Sequence, residues 1–235
     1  MIRFFNIIFW MLLGIRKKVI KSDHWRFYSN QILRQYCQAF TGDIINVSGW
    51  EDSDKQGGFY RNYYKKYSKY TISNIYGVNG MPENIPDEIE SIFLDLNEPL
   101  PNVLKSKFDV VFTHTVLEHI YDTQQALENL AALSKDVVIT VMPFSQSVHY
   151  TNSYSDFVRL TPYYLKKFFE ERGFSVLLST SNENPYQTVY LVFIVSKYPE
   201  RYKDFFVKAP LRYDIQLSPL RWGKYGGSGL NLTGE

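Results

Sequence analysis

The sequence predicts an α/β fold: a mostly parallel seven-stranded sheet with helices on both faces and an antiparallel hairpin at its C-terminal end. Three observations carry this. Short Val/Ile/Phe-rich runs alternate with helical patterns through the middle of the chain, from Asp43 to Ser196, and such alternation implies parallel strands joined by right-handed crossovers. The runs are continuous rather than strictly alternating, which suits strands covered on both faces. The last two runs are joined by the loop SNENPYQ, too short for a crossover helix, so they pair antiparallel.

The elements follow in order. Asp43–Val47 is an apolar run closed by a Ser-Gly turn, hence a buried strand. Tyr70–Ser73, Ser91–Asp95, Phe108–Thr113 and Val137–Met142 are the next four strands, the last stopped by Pro143. Phe174–Ser179 and Val189–Ser196 form the hairpin. Between the fourth and fifth strands, Asp122–Ser134 opens on an acidic N-cap and carries Ala126, Leu127, Leu130, Ala131 and Leu133 at helical spacing. Thr161 followed by Pro162 is a cap with proline at the first helical position. That helix is expected to reach Arg172 and to be closed by Gly173. GGFYRNYY, with Arg61 and Tyr60, Tyr63 and Tyr64, is either a substrate or phosphate contact or the half-buried face of a helix.

Both ends stand apart from this pattern, giving a division into 1–42, 43–197 and 198–235. The first segment holds an apolar helix over 2–20, in which the apolar run Ile2–Ile15 is followed at once by Arg16, Lys17 and Lys18. It is too short to span a bilayer unaided and lacks a signal-peptide cleavage site. Two readings remain: a helix packed on the domain, or one lying at an anionic membrane surface through residues 2–18. The last segment is broken by Pro199, Pro210 and Pro219 and ends in a Gly-rich tail.

Composition narrows the function. At 235 residues the chain buries a sizeable core without staples. Lys+Arg (26) nearly balances Asp+Glu (24), so there is no electrostatic footprint for nucleic acid. Cys37 is the single cysteine, which fits a reducing cytoplasm, with a peripheral position at the inner membrane face as the variant. With no cysteine pair and no His at i, i+4 spacing, no metal site is expected. The 19 Tyr and 17 Phe place amphipathic rings at rims, interfaces or sugar-facing surfaces.

In an open parallel sheet, ligands bind beyond the carboxyl ends of the strands. The informative loop follows the fourth strand. Phe108-Asp109 leads a buried strand into Leu117-Glu118-His119 and Asp122. This phrase resembles the fourth strand and loop of the class I S-adenosylmethionine-dependent methyltransferases, and the likeness extends over Ile44–Lys197. The resemblance implies the Rossmann-like fold of that family and S-adenosylmethionine as cofactor. It implies that Asp95 and Leu96 meet the adenine and that Val47, Gly49, Trp50, Asn74, His114 and Leu117 line the rest of the cofactor site. The stretch MPFSQSVHY, then SDFVRLTPYYL, is similar to the acceptor side of relatives. It implies Tyr150, Asp156 and Arg159 as acceptor contacts, with pairing to each other as the other role of Asp156 and Arg159.

Two positions depart from the family. Asn46-Val47-Ser48-Gly49-Trp50 replaces the acidic residue and Gly-x-Gly turn that let the backbone approach the cofactor. Asn74 stands where an acidic residue grips the ribose hydroxyls, and it bonds without charge assistance. The altered turn resembles that of a bacterial-type methyltransferase-like group.

Methyl transfer needs alignment and exclusion of water, and a general base if the acceptor is a hydroxyl. His149 is the first candidate base and His119 the second, with a loop-fixing hydrogen bond as its other role. The expected activity is methylation of a small-molecule or glycan-type acceptor. The alternative is a non-catalytic binding or assembly module that has lost the cofactor.

Overall fold

The computed structural model describes residues 26–75, 85–86, 88–151, 154–182 and 189–213. The expected apolar helix over 2–20, its membrane contact and the Gly-rich tail lie outside these residues. Among the described residues no helix is long and apolar enough to cross a membrane.

Seven strands form one sheet in the order β3-β2-β1-β4-β5-β7-β6. They are β1 (Asp43–Asn46), β2 (Lys69–Asn74), β3 (Glu90–Phe93), β4 (Phe108–His114), β5 (Ser134–Ser145), β6 (Ser175–Ser181) and β7 (Val189–Ser196). β1 to β5 pair parallel, and β7 runs antiparallel to both β5 and β6. The order reverses at β1, which has β2 on one side and β4 on the other, so the loops after β1 and β4 border the cleft.

Neighbouring residues of each central strand feed opposite faces, as the pleat requires. Val111, Val138 and Phe193 pack with Leu127, Leu130, Leu165 and Phe169 on one face. These last four come from α2 (Thr123–Leu133) and α3 (Pro162–Glu170). Val110, Ile139 and Val192 pack on the other face with Leu33 and Tyr36 of α1 (Arg26–Tyr36) and with Phe206 of α4 (Lys203–Phe206). The Phe206 ring stacks on Tyr36 at 4.8 Å, tying the chain's two flanks together.

The caps act as expected. Asp122 Oδ1 accepts from the Gln125 amide at 3.0 Å and Thr161 Oγ1 from the Tyr164 amide at 3.1 Å. Four boundaries differ from expectation. β3 lies earlier, which leaves Asp95 in a turn. β5 starts directly at the end of α2 and runs through Pro143, which pairs with Tyr190 beside a register shift. The proline is tolerated because β4 accompanies β5 only as far as Val141, so no parallel ladder on that side needs its missing N–H. α3 ends at Glu170, and Gly173, at φ +77°, turns the chain so that the Phe174 amide returns to the Phe169 carbonyl. Finally, Tyr60–Tyr63 is a single 3-10 turn with Tyr60, Tyr63 and Tyr64 buried, so GGFYRNYY forms no α-helical face.

Candidate active site

The loop after β1 is built without the usual glycines. Ser48, Trp50, Asp52 and Lys55 all adopt positive φ, between 47° and 60°, a region costly for L side chains. A hydrogen-bond scaffold holds them there. The Ser48 and Gly49 amides bond to the Ser73 hydroxyl (3.2 Å) and carbonyl (3.1 Å). The Trp50 amide bonds to Asn74 Oδ1 at 2.9 Å. Asp52, wholly buried, accepts from Asn46 Nδ2 (2.8 Å), the Tyr70 hydroxyl (2.7 Å) and both the amide and guanidinium of Arg61 (3.1 Å each). Gly49 keeps a glycine's role at this turn, because a Cβ there would stand 2.5 Å from the Asn46 carboxamide.

This loop walls a small, half-open hollow of about 150 Å³ at the carboxyl ends of β1 and β4. Ser48, Gly49 and Trp50 form one side, His114, Thr115 and Val116 another, and Arg26 and Tyr60 close it. Arg26 donates to the Tyr60 hydroxyl at 3.2 Å and the Thr115 hydroxyl at 3.1 Å, which fixes a guanidinium at the hollow. His114 lies beneath, with Nε2 3.2 Å from the Ser29 hydroxyl. Burial, and then the Arg26 cation, hold its pKa well below the ordinary histidine range, so it is neutral. The hollow is smaller than the roughly 300 Å³ at which pockets for whole drug-sized ligands begin, so it takes one end of such a ligand. Trp50, 41% exposed, is one of the residues that line it. Two wider grooves, of about 550 and 660 Å³, border the outer side of Asp54 and the Gly42 end of β1. The second lies at the amino end of the sheet, away from where such folds bind ligands.

A second group of side chains gathers further along the same β4 loop. Glu118 is 2% exposed and its Oε2 has no hydrogen-bond partner. Burial pushes its pKa up to about 7. His119 Nε2 lies 3.7 Å from Glu118 Oε1, and His119 Nδ1 lies 2.8 Å from the Ser155 carbonyl. Burial draws the His119 pKa down, against the bond to Ser155. The His149 ring meets that of His119 edge-on at 4.9 Å, with Tyr154 packed 4.4 Å from His119. His149 Nδ1 is 2.9 Å from Asp156 Oδ2. Arg159 grips the other side of Asp156 with both guanidinium nitrogens, a bidentate pair that holds the Asp156 pKa down at about 2.

The expected site residues therefore divide. Gly49, Trp50 and His114 line the hollow. His119, His149, Asp156 and Arg159 form one connected cluster. Val47, Leu96 and Leu117 are core side chains, at most 1% exposed. Asn74 holds the β1 loop through Trp50. Asp95 closes its own turn, accepting from the Asn97 amide at 2.9 Å and side chain at 3.0 Å, an Asx turn. Tyr150 is 78% exposed, outside the cluster. Tyr60, of the GGFYRNYY stretch offered as a substrate or phosphate contact, lines the hollow; no motif marks Arg26 or Thr115. Arg26 comes from a helix that precedes the sheet. Glu118 stood inside the LEH phrase, but only its burial shows a carboxylate kept from water.

No protein-family model matches the sequence, and no curated protein matches it. Solved structures do match in fold. One is the chain bound to the Trm112 methyltransferase activator in a Haloferax volcanii complex, at 14% identity and TM-score 0.54, covering 77% of this chain and 93% of that one. Another is the Burkholderia thailandensis 1,6-didemethyltoxoflavin-N1-methyltransferase with 1,6-didemethyltoxoflavin and S-adenosylhomocysteine bound, at 13% identity and TM-score 0.54, covering 82% and 87%. A third is an S-adenosylmethionine-dependent methyltransferase from Mesorhizobium loti, at 8% identity and TM-score 0.50, covering 74% and 99%. The fold is thus the Rossmann-like fold of the class I methyltransferases.

Proposed function

From a class I methyltransferase fold with a preformed hollow at its switch point, we propose that the chain is an S-adenosylmethionine-dependent methyltransferase acting on a small-molecule or glycan-type acceptor. The observation that carries this is adjacency: one loop, Thr115–His119, borders the hollow at one end and the Glu118-His119-His149 cluster at the other. A cofactor end and an acceptor end side by side are what in-line transfer requires.

The hollow fits the amino-acid end of the cofactor, with the Arg26 guanidinium suited to its carboxylate. S-adenosylmethionine supplies a methyl group made electrophilic by its sulfonium. The chain's own residues do the rest. The bonded β1 loop arrives pre-shaped, so little ordering is lost on binding. At the acceptor end, the Ser155 carbonyl holds the His119 Nδ1 proton, so His119 Nε2 and the Glu118 carboxylate are acceptors toward the polar hydrogen of a bound substrate. An O–H or N–H held there has its lone pair turned to the methyl carbon. Asp95 and Asn74 border the nucleoside side in this reading. A cytoplasmic setting, with residues 2–18 at a membrane surface as its variant, belongs to the same proposal.

Thermal unfolding with S-adenosylhomocysteine tests it. At 100 times the dissociation constant, binding adds about 2.7 kcal/mol of stability. No shift at millimolar ligand would sink the catalytic reading and leave a non-catalytic module on the same fold.

A further inference from the structure

We infer that Glu118, His119 and His149 together form a binding site for a divalent first-row cation at the acceptor end of the cleft. Each offers one ligand atom, and these atoms lie within 4.8 Å of one another. A tetrahedral set at about 2.1 Å from a cation places its ligand atoms ~3.4 Å apart, so modest side-chain rotation closes the group.

The hydrogen-bond geometry supplies the argument for a cation. A carbonyl oxygen only accepts, so the contact of His119 Nδ1 with the Ser155 carbonyl, at 2.8 Å, places the ring proton on Nδ1. His119 Nε2 is then a bare lone pair, and it faces the Glu118 carboxylate at 3.7 Å. Two acceptors confront each other, and at that distance a shared proton makes no hydrogen bond. A cation between them satisfies both. Glu118 Oε2 is also without a partner although the residue is 2% exposed, and a buried carboxylate oxygen left so is costly. Arg26 and Arg159 act on Glu118 through space.

The surroundings match those of a metal-binding histidine. His149 Nδ1 lies 2.9 Å from Asp156 Oδ2 and 3.3 Å from the Gln146 amide nitrogen. A proton on Nδ1, turned to that carboxylate, leaves Nε2 as a lone pair. Arg159 in turn clamps Asp156. Such carboxylate–histidine pairs orient metal-binding imidazoles. Two imidazoles and one carboxylate suit Zn²⁺, Fe²⁺, Co²⁺ or Mn²⁺ better than Ca²⁺ or Mg²⁺. Three protein ligands leave coordination positions open. The cation's use, holding an acceptor oxygen in place of direct hydrogen bonds to Glu118, His119 and His149, rests on the methyl-transfer reading. Its binding does not.

The test uses the tag-free full chain, stripped with chelator and titrated with Co²⁺, which reports its coordination by visible absorption, and then with Zn²⁺ in competition with a chromophoric chelator. One equivalent is expected. Glu118→Gln and His149→Asn, checked for native circular dichroism, should each bind at least ~100-fold more weakly. Asp156→Asn should cost ~10–100-fold through His149 alone. Absence of stoichiometric binding, or binding unchanged in Glu118→Gln and His149→Asn, overturns the site. Binding of S-adenosylhomocysteine is measured on the same samples. Cation binding without it removes the methyl-transfer reading and keeps the site; the reverse removes the site alone.

Discussion

The Trp50 backbone amide donates to Asn74 Oδ1 at 2.9 Å, so the residue at the end of the second strand secures the loop after the first. In this chain a carboxamide at that position is a structural brace between two cleft loops. It keeps Trp50, at φ 47°, in a conformation that costs ~1 kcal/mol or more if left unsupported.

Asn74→Ala removes the acceptor and leaves the Trp50 amide unpaired. A loss of about 1–3 kcal/mol is expected in urea unfolding. Asn74→Asp keeps an acceptor oxygen and should stay within about 1 kcal/mol of the parent. Equal losses in both would show that the amide group, and not its oxygen, is what the fold needs.

Gly49→Ala places a methyl group against Asn46, whose Nδ2 is held by Asp52. The neighbour cannot swing away without breaking a buried bond. Overpacking of this kind costs about 1–3 kcal/mol, and S-adenosylhomocysteine affinity should fall with it. A variant of parental stability and affinity would show that the turn tolerates a side chain.

Arg26→Ala should weaken S-adenosylhomocysteine about 10-fold or more by calorimetry, since a hydrogen bond to a charged group is worth about 1.5–3 kcal/mol. The same variant should bind 5′-methylthioadenosine, which lacks the amino-acid end, as the parent does. Loss toward both ligands would assign Arg26 to holding helix α1 rather than the carboxylate.

Cys37 is 1% exposed, and burial pushes its thiol up to about 12. Thiolate is the reactive form, so an aromatic disulfide reagent at pH 8 should leave the native protein unmodified. It should react with one equivalent in guanidinium. Prompt native reaction would mean that the α1 face opens readily.

Much of the sheet was legible before any coordinates. The strands around Ile44, Val110, Val138 and Ile194 are continuous apolar runs because both faces are covered, and that leaves a plain trace in sequence. Asp122 and Thr161 announced their helices because capping is local chemistry. The ends of β3 and β5 were misplaced for the opposite reason. Whether Pro143 stops a strand depends on which neighbour needs its N–H, and whether Asp95 faces a ligand or its own turn depends on where Phe93 stops pairing.

The site divides along the same line. By itself the sequence determined the order of strands and helices, the unusual turn at Ser48–Asp52 and the LEH phrase, since each rests on residues near one another in the chain. Tertiary structure alone decided that Arg26 reaches Thr115 across 89 positions and that Glu118 is shut away from water. It also brought His119 beside His149, thirty residues on, at 4.9 Å. Those relations depend on how the parallel sheet brings the loops after β4 and β5 together at one rim, and no local spacing encodes a distance between two loops.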